Sequence, residues 1–288
     1  MNAIVTGARR GIGRAIAEKF VKNGINVWAC SSHLDEEFSQ ICDEMAKDAQ
    51  VDNGRNHGVD EAGNETPWII PIEMNLSDED SIKAAFKSIA DTKDSEGNKE
   101  NIDILVNCAG VASSGLMQMT SMDTLRDVME VNFIGQMSLT QKVSKVMMRQ
   151  YNSELKSLGI KAEDMTAEQS IKMRHYSIVN IGSVGGIEAR EGYLAYGSSK
   201  AAFMWATRCI SKELAPYNIR VNAVAPGLID TDMGDFKKDV EQEKILQSIS
   251  MKRKGTPEEI AEVVYFLATD ASSFITGSII NADGGRLI

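Results

Sequence analysis

The sequence predicts a single α/β domain built on a doubly wound, parallel sheet of seven strands. Apolar β-type runs alternate with helical stretches along most of the chain, the pattern that places helices on both faces of one sheet. Several of those runs are almost continuously apolar, as strands buried on both faces are. The first run also passes directly into a glycine-rich turn that opens an amphipathic helix. No internal repeat or linker divides the chain, so residues 1–288 are read as one domain.

The candidate strands are 3–5, 26–30, 68–74, 104–107, 177–181, 220–225 and 278–281. The first helix, 12–22, puts Ile12, Ile16 and Phe20 on one face and stops at Asn23-Gly24. Later helices are expected at 124–150 and 193–216. Polar stretches at 48–66, 91–100 and 151–174 exceed a minimal domain of this type. The first reads as loop, and Thr166-Ala167-Glu168-Gln169 in the third can start a short helix. Each precedes a strand, so all three belong at the N-terminal edge of the sheet. Ligands of open α/β sheets bind at the opposite edge, so these insertions are expected to be surface elaborations or assembly contacts.

Composition excludes several functions. A formal charge of −10 gives no basic field to hold nucleic acid. No apolar run approaches the ~18–20 residues of a membrane span. The opening Met1-Asn2-Ala3-Ile4-Val5 lacks the basic start and long apolar core of an export signal. A cytoplasmic location is therefore expected, with Cys30, Cys42, Cys108 and Cys209 as reduced thiols. None of the cysteines is spaced for a metal, and no metal is expected.

Thr6-Gly7-Ala8-Arg9-Arg10-Gly11-Ile12-Gly13 lies between the first strand and the first helix. Glycines there permit a tight turn and let backbone N–H groups approach a phosphate at a helix N-terminus. This is the phosphate-binding turn of a Rossmann-like fold. Proteins that bind NAD usually end the second strand with an acid for the ribose hydroxyl. Here that strand ends Ala29-Cys30-Ser31-Ser32-His33, with no acid before Asp35. Arg9 and Arg10 can fork onto a 2′-phosphate instead. NADP(H) is therefore the expected cofactor and NAD(H) the alternative; solvated surface charge stays open as the other reading of both arginines.

Tyr196 and Lys200 are four residues apart, on one face of a helix. A phenol, ordinarily of pKa ~10, needs a nearby cation to act near neutrality, and Lys200 can supply it. Tyr196 can then give a proton to a forming alkoxide or take one from an alcohol. Ser183, just after the fifth strand, can hydrogen-bond the same substrate oxygen.

With these residues in view, the chain resembles the short-chain dehydrogenase/reductase family over nearly its whole length. Thr6–Gly13 is similar to that family's glycine element. Asn107-Cys108-Ala109-Gly110 is similar to its Asn-Asn-Ala-Gly element, with cysteine in place of the second asparagine. Asn132, Ser183, Tyr196 and Lys200 match the catalytic tetrad in order. Pro226-Gly227 matches the turn after the sixth strand, and Asp283-Gly284-Gly285 the C-terminal signature. The resemblance implies that Tyr196 is the acid/base and that Ser183 places the substrate oxygen. It implies that Lys200 lowers the Tyr196 pKa and holds the nicotinamide ribose, and that Asn132 binds a proton-relay water. Asn107, Ala109 and Gly110 would line the cofactor, Asn75-Leu76 the adenine, and Ile229 and Thr231 the carboxamide.

Within the family the closest likeness is to 3-oxoacyl-ACP reductases, which implies an acyl thioester substrate, an acyl carrier protein partner docking on Lys145 and Lys212, and a homotetramer or homodimer. The pocket is expected from 184–192 and 228–251, where Tyr193, Met233 and Met251 are apolar and Glu188 and Arg190 charged. An acyl chain and a polar, sugar-like ketone both fit that composition. A sugar, polyol or steroid alcohol dehydrogenase is the second reading. A redox-inactive nucleotide-binding regulator is disfavoured because all four tetrad residues are present. Val128, Val131, Met137, Val143, Phe203, Trp205 and Ile210 are expected to exceed the needs of the sheet and to pair between subunits.

Overall fold

Fully apolar strands fold here because each must satisfy two helical layers at once. The computed structural model describes residues 1–49, 52–53, 67–94, 96–231 and 239–286. The first half runs β1 (Asn2–Thr6), α1 (Gly11–Lys22), β2 (Asn26–Ser31), α2 (Glu36–Ala49), β3 (Asp52–Asn53), β4 (Trp68–Glu73), α3 (Glu79–Ala90) and β5 (Ile104–Asn107). Then follow α4 (Met122–Met129), a π-helical turn (Glu130–Ile134), α5 (Gly135–Leu158), α6 (Ala167–Lys172) and β6 (Tyr176–Ile181). The chain closes with α7 (Leu194–Leu214), β7 (Ile219–Pro226), α8 (Asp239–Ser248), α9 (Pro257–Ala268) and β8 (Ile279–Ala282). All strands are parallel, in the order β3-β4-β2-β1-β5-β6-β7-β8. The order reverses between β1 and β5, which opens a crevice at their C-terminal ends.

Alternate residues of each strand serve opposite layers. Val5 and Val27 join Ile16, Phe20 and Val264 on one face, while Ile4 and Trp28 join Ile82, Leu139 and Val143 on the other. The seven expected strands all form. The two-residue β3 adds an edge, pairing with Trp68 and Ile69; a pair as short and polar as Asp52-Asn53 carries no periodicity to read. Of the stretch 48–66, Asp48 and Ala49 complete α2, and 50–51 and 54–66 lie outside the described residues.

The stretch 151–174 is less loop-like than its polarity implied. Its first third extends α5 to Leu158, because Tyr151 and Leu155 are buried in the core. Thr166 and Gln169 form the expected capping box of α6. Both insertions sit at the N-terminal edge: Asn2 holds Glu100 and the Asn101 carbonyl, and Asn218, just before β7, holds Ser170. Among the described residues, no helix is long and apolar enough to cross a membrane, and no group of three or more His, Cys, Asp or Glu could hold a metal.

Candidate active site

The glycine turn is built as a phosphate cradle. Gly7 and Gly11 take φ of +71° and +55°, conformations that favour glycine. A Cβ on Gly13 would stand 2.1 Å from the Gly7 carbonyl oxygen, so the turn closes only with glycine there. Arg10 opens α1 without a side-chain cap, and the first turn holds no acid. The positive end of the helix therefore faces the crevice. Thr231 reaches over the turn: a Cβ on Gly11 would lie 3.3 Å from its methyl. Gly7 abuts Ala109, whose N–H, like that of Cys108, donates to Thr6 Oγ1 (3.1 and 2.9 Å). Ser31 and Asn75 end adjacent segments, joined by the Met74 N–H to the Ser31 carbonyl at 2.7 Å. Pro226-Gly227 packs against Asp283, and Ile229 turns into the core. Ile12 packs partly buried against that core, and Leu76 is buried beneath Gly135. An uncapped helix start and a turn with no room for side chains fit a dinucleotide. Gly7, Gly11, Gly13 and Thr231 are the groups placed to hold one.

Arg9 departs from the expectation. Its guanidinium donates to both carboxylate oxygens of Asp35 at 2.9 Å, and to Glu37. Asp35 also accepts the Phe38 N–H at the start of α2, and these two bonds hold its pKa below the ordinary value. Arg9 is thus tied to the β2–α2 loop, whereas Arg10 is exposed.

The residues expected to be catalytic converge at the C-terminal ends of β5 and β6. Ser183 opens a 3₁₀ turn, accepting the Gly185 N–H at 3.0 Å. Burial raises the Tyr196 pKa, and the nearby Ser183 hydroxyl opposes that rise. Lys200 is 4% exposed and donates 2.8 Å to the Ile181 carbonyl; desolvation lowers its pKa to about 8. The ammonium is anchored on β6, and burial holds the phenol's pKa above its ordinary value. Cys108 lies within electrostatic reach of Lys200, but burial pushes its thiol up to about 12.

Asn132 sits fully buried in the π-helical turn, a distortion frequent at functional sites. Its amide accepts the Val111 N–H (2.8 Å) and donates to the Val111 carbonyl (2.9 Å) and to Ser199 Oγ (3.1 Å). The side chain thus clamps the Gly110–Val111 segment beside Lys200. Asn107 is likewise committed: its amide donates to Thr140 and Asn180, both at 2.9 Å, and Asn180 passes the network to Thr207. The Asn107 side chain is fully buried, and its Oδ1 has no hydrogen-bond partner.

Sequence reasoning missed Asn180, Thr140 and Thr207. An asparagine in a strand buried on both faces has to find partners, and that was the available signal. It also missed Arg286, whose guanidinium reaches back to Glu188 at 3.3 Å. Met233 lies outside the described residues.

The glycine cradle and the Ser183–Tyr196–Lys200 cluster on one sheet edge agree with what known proteins show. A family model described as short chain dehydrogenase matches residues 1–155. The chain belongs to the short-chain dehydrogenase family. A second model, described as enoyl-(acyl carrier protein) reductase, matches 162–286. The chain is 36% identical over 98% of its length to the 3-oxoacyl-[acyl-carrier-protein] reductase FabG of Aquifex aeolicus, covering 96% of that relative. It is 33% identical to the Thermotoga maritima FabG, with 99% and 97% covered. Among solved structures, a dehydrogenase/reductase from Sinorhizobium meliloti superposes with a TM-score of 0.77 at 26% identity, covering all of this chain and 95% of that one. A protein described as an NAD(P)-dependent gluconate 5-dehydrogenase from Beutenbergia cavernae, with bound NADP, gives 0.78 at 26% identity, covering 99% and 96%. This short-chain dehydrogenase is an NAD(P)-dependent oxidoreductase acting on CH–OH groups.

Proposed function

We propose that this short-chain dehydrogenase reduces a ketone to a secondary alcohol with NADP(H), as a 3-oxoacyl thioester reductase. The observation that carries the reading is the grouping of Ser183 and Tyr196 with a buried Lys200 that is held on the Ile181 carbonyl. A nicotinamide cofactor, when bound, supplies the hydride. Ser183 holds the substrate oxygen against the phenol, and neutral Tyr196 gives its proton to the forming alkoxide. Lys200, charged below pH about 8, keeps a cation near that oxygen. The A. aeolicus and T. maritima relatives support the thioester, delivered by an acyl carrier protein. Lys212 is ill placed to dock that carrier. It lies sixteen residues along α7 from Tyr196, about 24 Å toward the opposite sheet edge.

A second reading, oxidation or reduction of a sugar acid, is favoured by the gluconate 5-dehydrogenase likeness and by Arg190 beside Tyr193. NADPH oxidation in the presence of acetoacetyl thioester, sugar ketones and steroid ketones separates the two. Turnover of the thioester supports the first. Turnover confined to another ketone discards it and keeps the Tyr196 chemistry.

The reading includes self-association, by a narrower part of the surface expected. Val128, Val143 and Phe203 are buried in the protomer's own core. They face inward because α4, α5 and α7 pack on the sheet and on each other. Trp205 is 66% exposed instead, at a cleft of about 450 Å³ shared with Met204 and Ile279 of the edge strand β8.

A further inference from the structure

We propose that Arg190 and Arg286, with Glu188 between them, form an anion-binding subsite of this active site that takes one carboxylate or phosphate group of the substrate. The inference rests on the ketone-reductase reading above and names the substrate's chemistry. Arg190 donates to Glu188 Oε2 through Nε (3.1 Å) and Nη2 (2.5 Å). Arg286 approaches the same oxygen at 3.3 Å. Two guanidinium groups, with side chains 15% and 8% exposed, thus share a single carboxylate oxygen. Arg286 Nε is buried with no hydrogen-bond partner. Burying a second cation on one counter-ion is costly unless a further anion completes the set. Both described ion pairs of these arginines go to Glu188.

Tyr193 links the cluster to the reacting centre. The Arg190 guanidinium lies 5.7 Å from the Tyr193 ring, which packs edge-on against Tyr196 at 5.9 Å. Tyr193 also abuts the Ser183 turn, where a Cβ on Gly185 would lie 3.0 Å from its ring. Arg286 is carried there by the C-terminal segment, which is fixed by the Met251 N–H to the Gly284 carbonyl at 3.0 Å. A group with two or more anionic oxygens matches the fork of a guanidinium. The substrate that fits is a ketone bearing such a group a few bonds from its carbonyl. The anion is either a carboxylate, as in a keto acid, or the phosphate of a carrier-linked thioester.

The test measures kcat/KM for matched pairs with NADPH. Methyl-ketone carboxylates of increasing chain length are compared with their methyl esters, and acetoacetyl-pantetheine 4′-phosphate with acetoacetyl-pantetheine. The anionic member of at least one pair is expected to win by about tenfold or more, mainly through KM. Arg286→Leu and Arg190→Leu are expected to bring that ratio close to one, and Arg286→Lys to keep most of it. The pair that shows the preference identifies the source of the anion. A purely structural tie lowers both members of a pair alike, so a ratio that neither variant moves overturns the proposal. So does a ratio near one for every pair in the unaltered enzyme, while turnover of the neutral ketones keeps the reductase reading. If no ketone is reduced, the reductase reading fails and this subsite falls with it.

Discussion

Lys200 Nζ donates a 2.8 Å hydrogen bond to the Ile181 carbonyl at the end of β6, which fixes a buried ammonium beside the catalytic phenol. Desolvation lowers its pKa from 10.5 to about 8. The unfolded chain therefore binds more protons between those values, and stability rises with pH across that window. Below pH about 8 the penalty for burying the charge is complete; above about 10.5 it is gone. Its size is on the order of 3 kcal/mol, offset in part by the Ile181 bond. Lys200→Met is thus expected to abolish activity yet raise Tm by a few degrees at pH 7. The gap in Tm should close as the pH passes from 8 toward 10, which melts at stepped pH will show.

Tyr196 carries the opposite displacement. Burial raises its pKa, so the phenol remains a proton donor throughout the neutral range. Ketone reduction uses both Tyr196 and Lys200 in their protonated forms. Its kcat/KM is expected to be level below pH 8 and to decline above it, with Lys200 setting the first limb. Alcohol oxidation should rise over the same range. Tyr196→Phe should cost about 10²–10⁴ in kcat at every pH, with cofactor affinity retained. Steady-state pH profiles in both directions check the signs.

Asn132 is a positioning residue. Its clamp holds Val111, and with it Gly110, whose Cβ position would lie 3.5 Å from Lys200 Nζ. Val111 is itself 40% exposed, so water can replace part of the lost bonding. Asn132→Leu should therefore cost only about 1–2 kcal/mol of stability, a modest fall in Tm. Activity should suffer more, by about tenfold or greater in kcat, because the segment facing Lys200 loses its register. Thermal melts beside kinetics separate the two effects.

How much of this was legible in the sequence follows from which forces write local patterns. Strands such as Ile4–Val5 and Ile178–Val179 serve two apolar layers, and their composition shows it. Gly13 is legible because its position after a strand and at a helix start has a mechanical reason. Long-range polar partners write no such pattern. Nothing local says that Arg9 meets Asp35 and Glu37, that Lys200 turns to Ile181, or that Arg286 folds back onto Glu188. Helix faces were misread for a related reason: α5 and α7 are covered on more than one side, so Val143 and Phe203 are core residues.

The two arginines of the glycine turn should now behave differently. Arg9 is tied by two acids to the start of α2, while Arg10 stands at the N-terminus of α1 beside the glycine cradle. Arg10→Ala is expected to raise the KM for NADPH about tenfold, the worth of one charge-assisted contact, and to leave that for NADH within about twofold. Arg9→Ala should affect both nucleotides alike, by loosening the β2–α2 loop. Equal loss for both nucleotides in Arg10→Ala would remove the structural support for NADP(H).

Self-association gives the last expectation. β8 ends the sheet with one edge unpaired by any described strand, and Trp205 stands exposed beside its Ile279. An apolar rim on an open edge is a surface that a two-fold symmetric neighbour can cover. The unaltered chain is expected to run as a homodimer or homotetramer in light scattering. Trp205→Glu would replace the apolar indole of that contact with a carboxylate and should move the mass toward the monomer. A monomeric mass for the unaltered chain would refute the association. A Trp205→Glu variant that keeps the full assembly would move the interface away from the β8 edge.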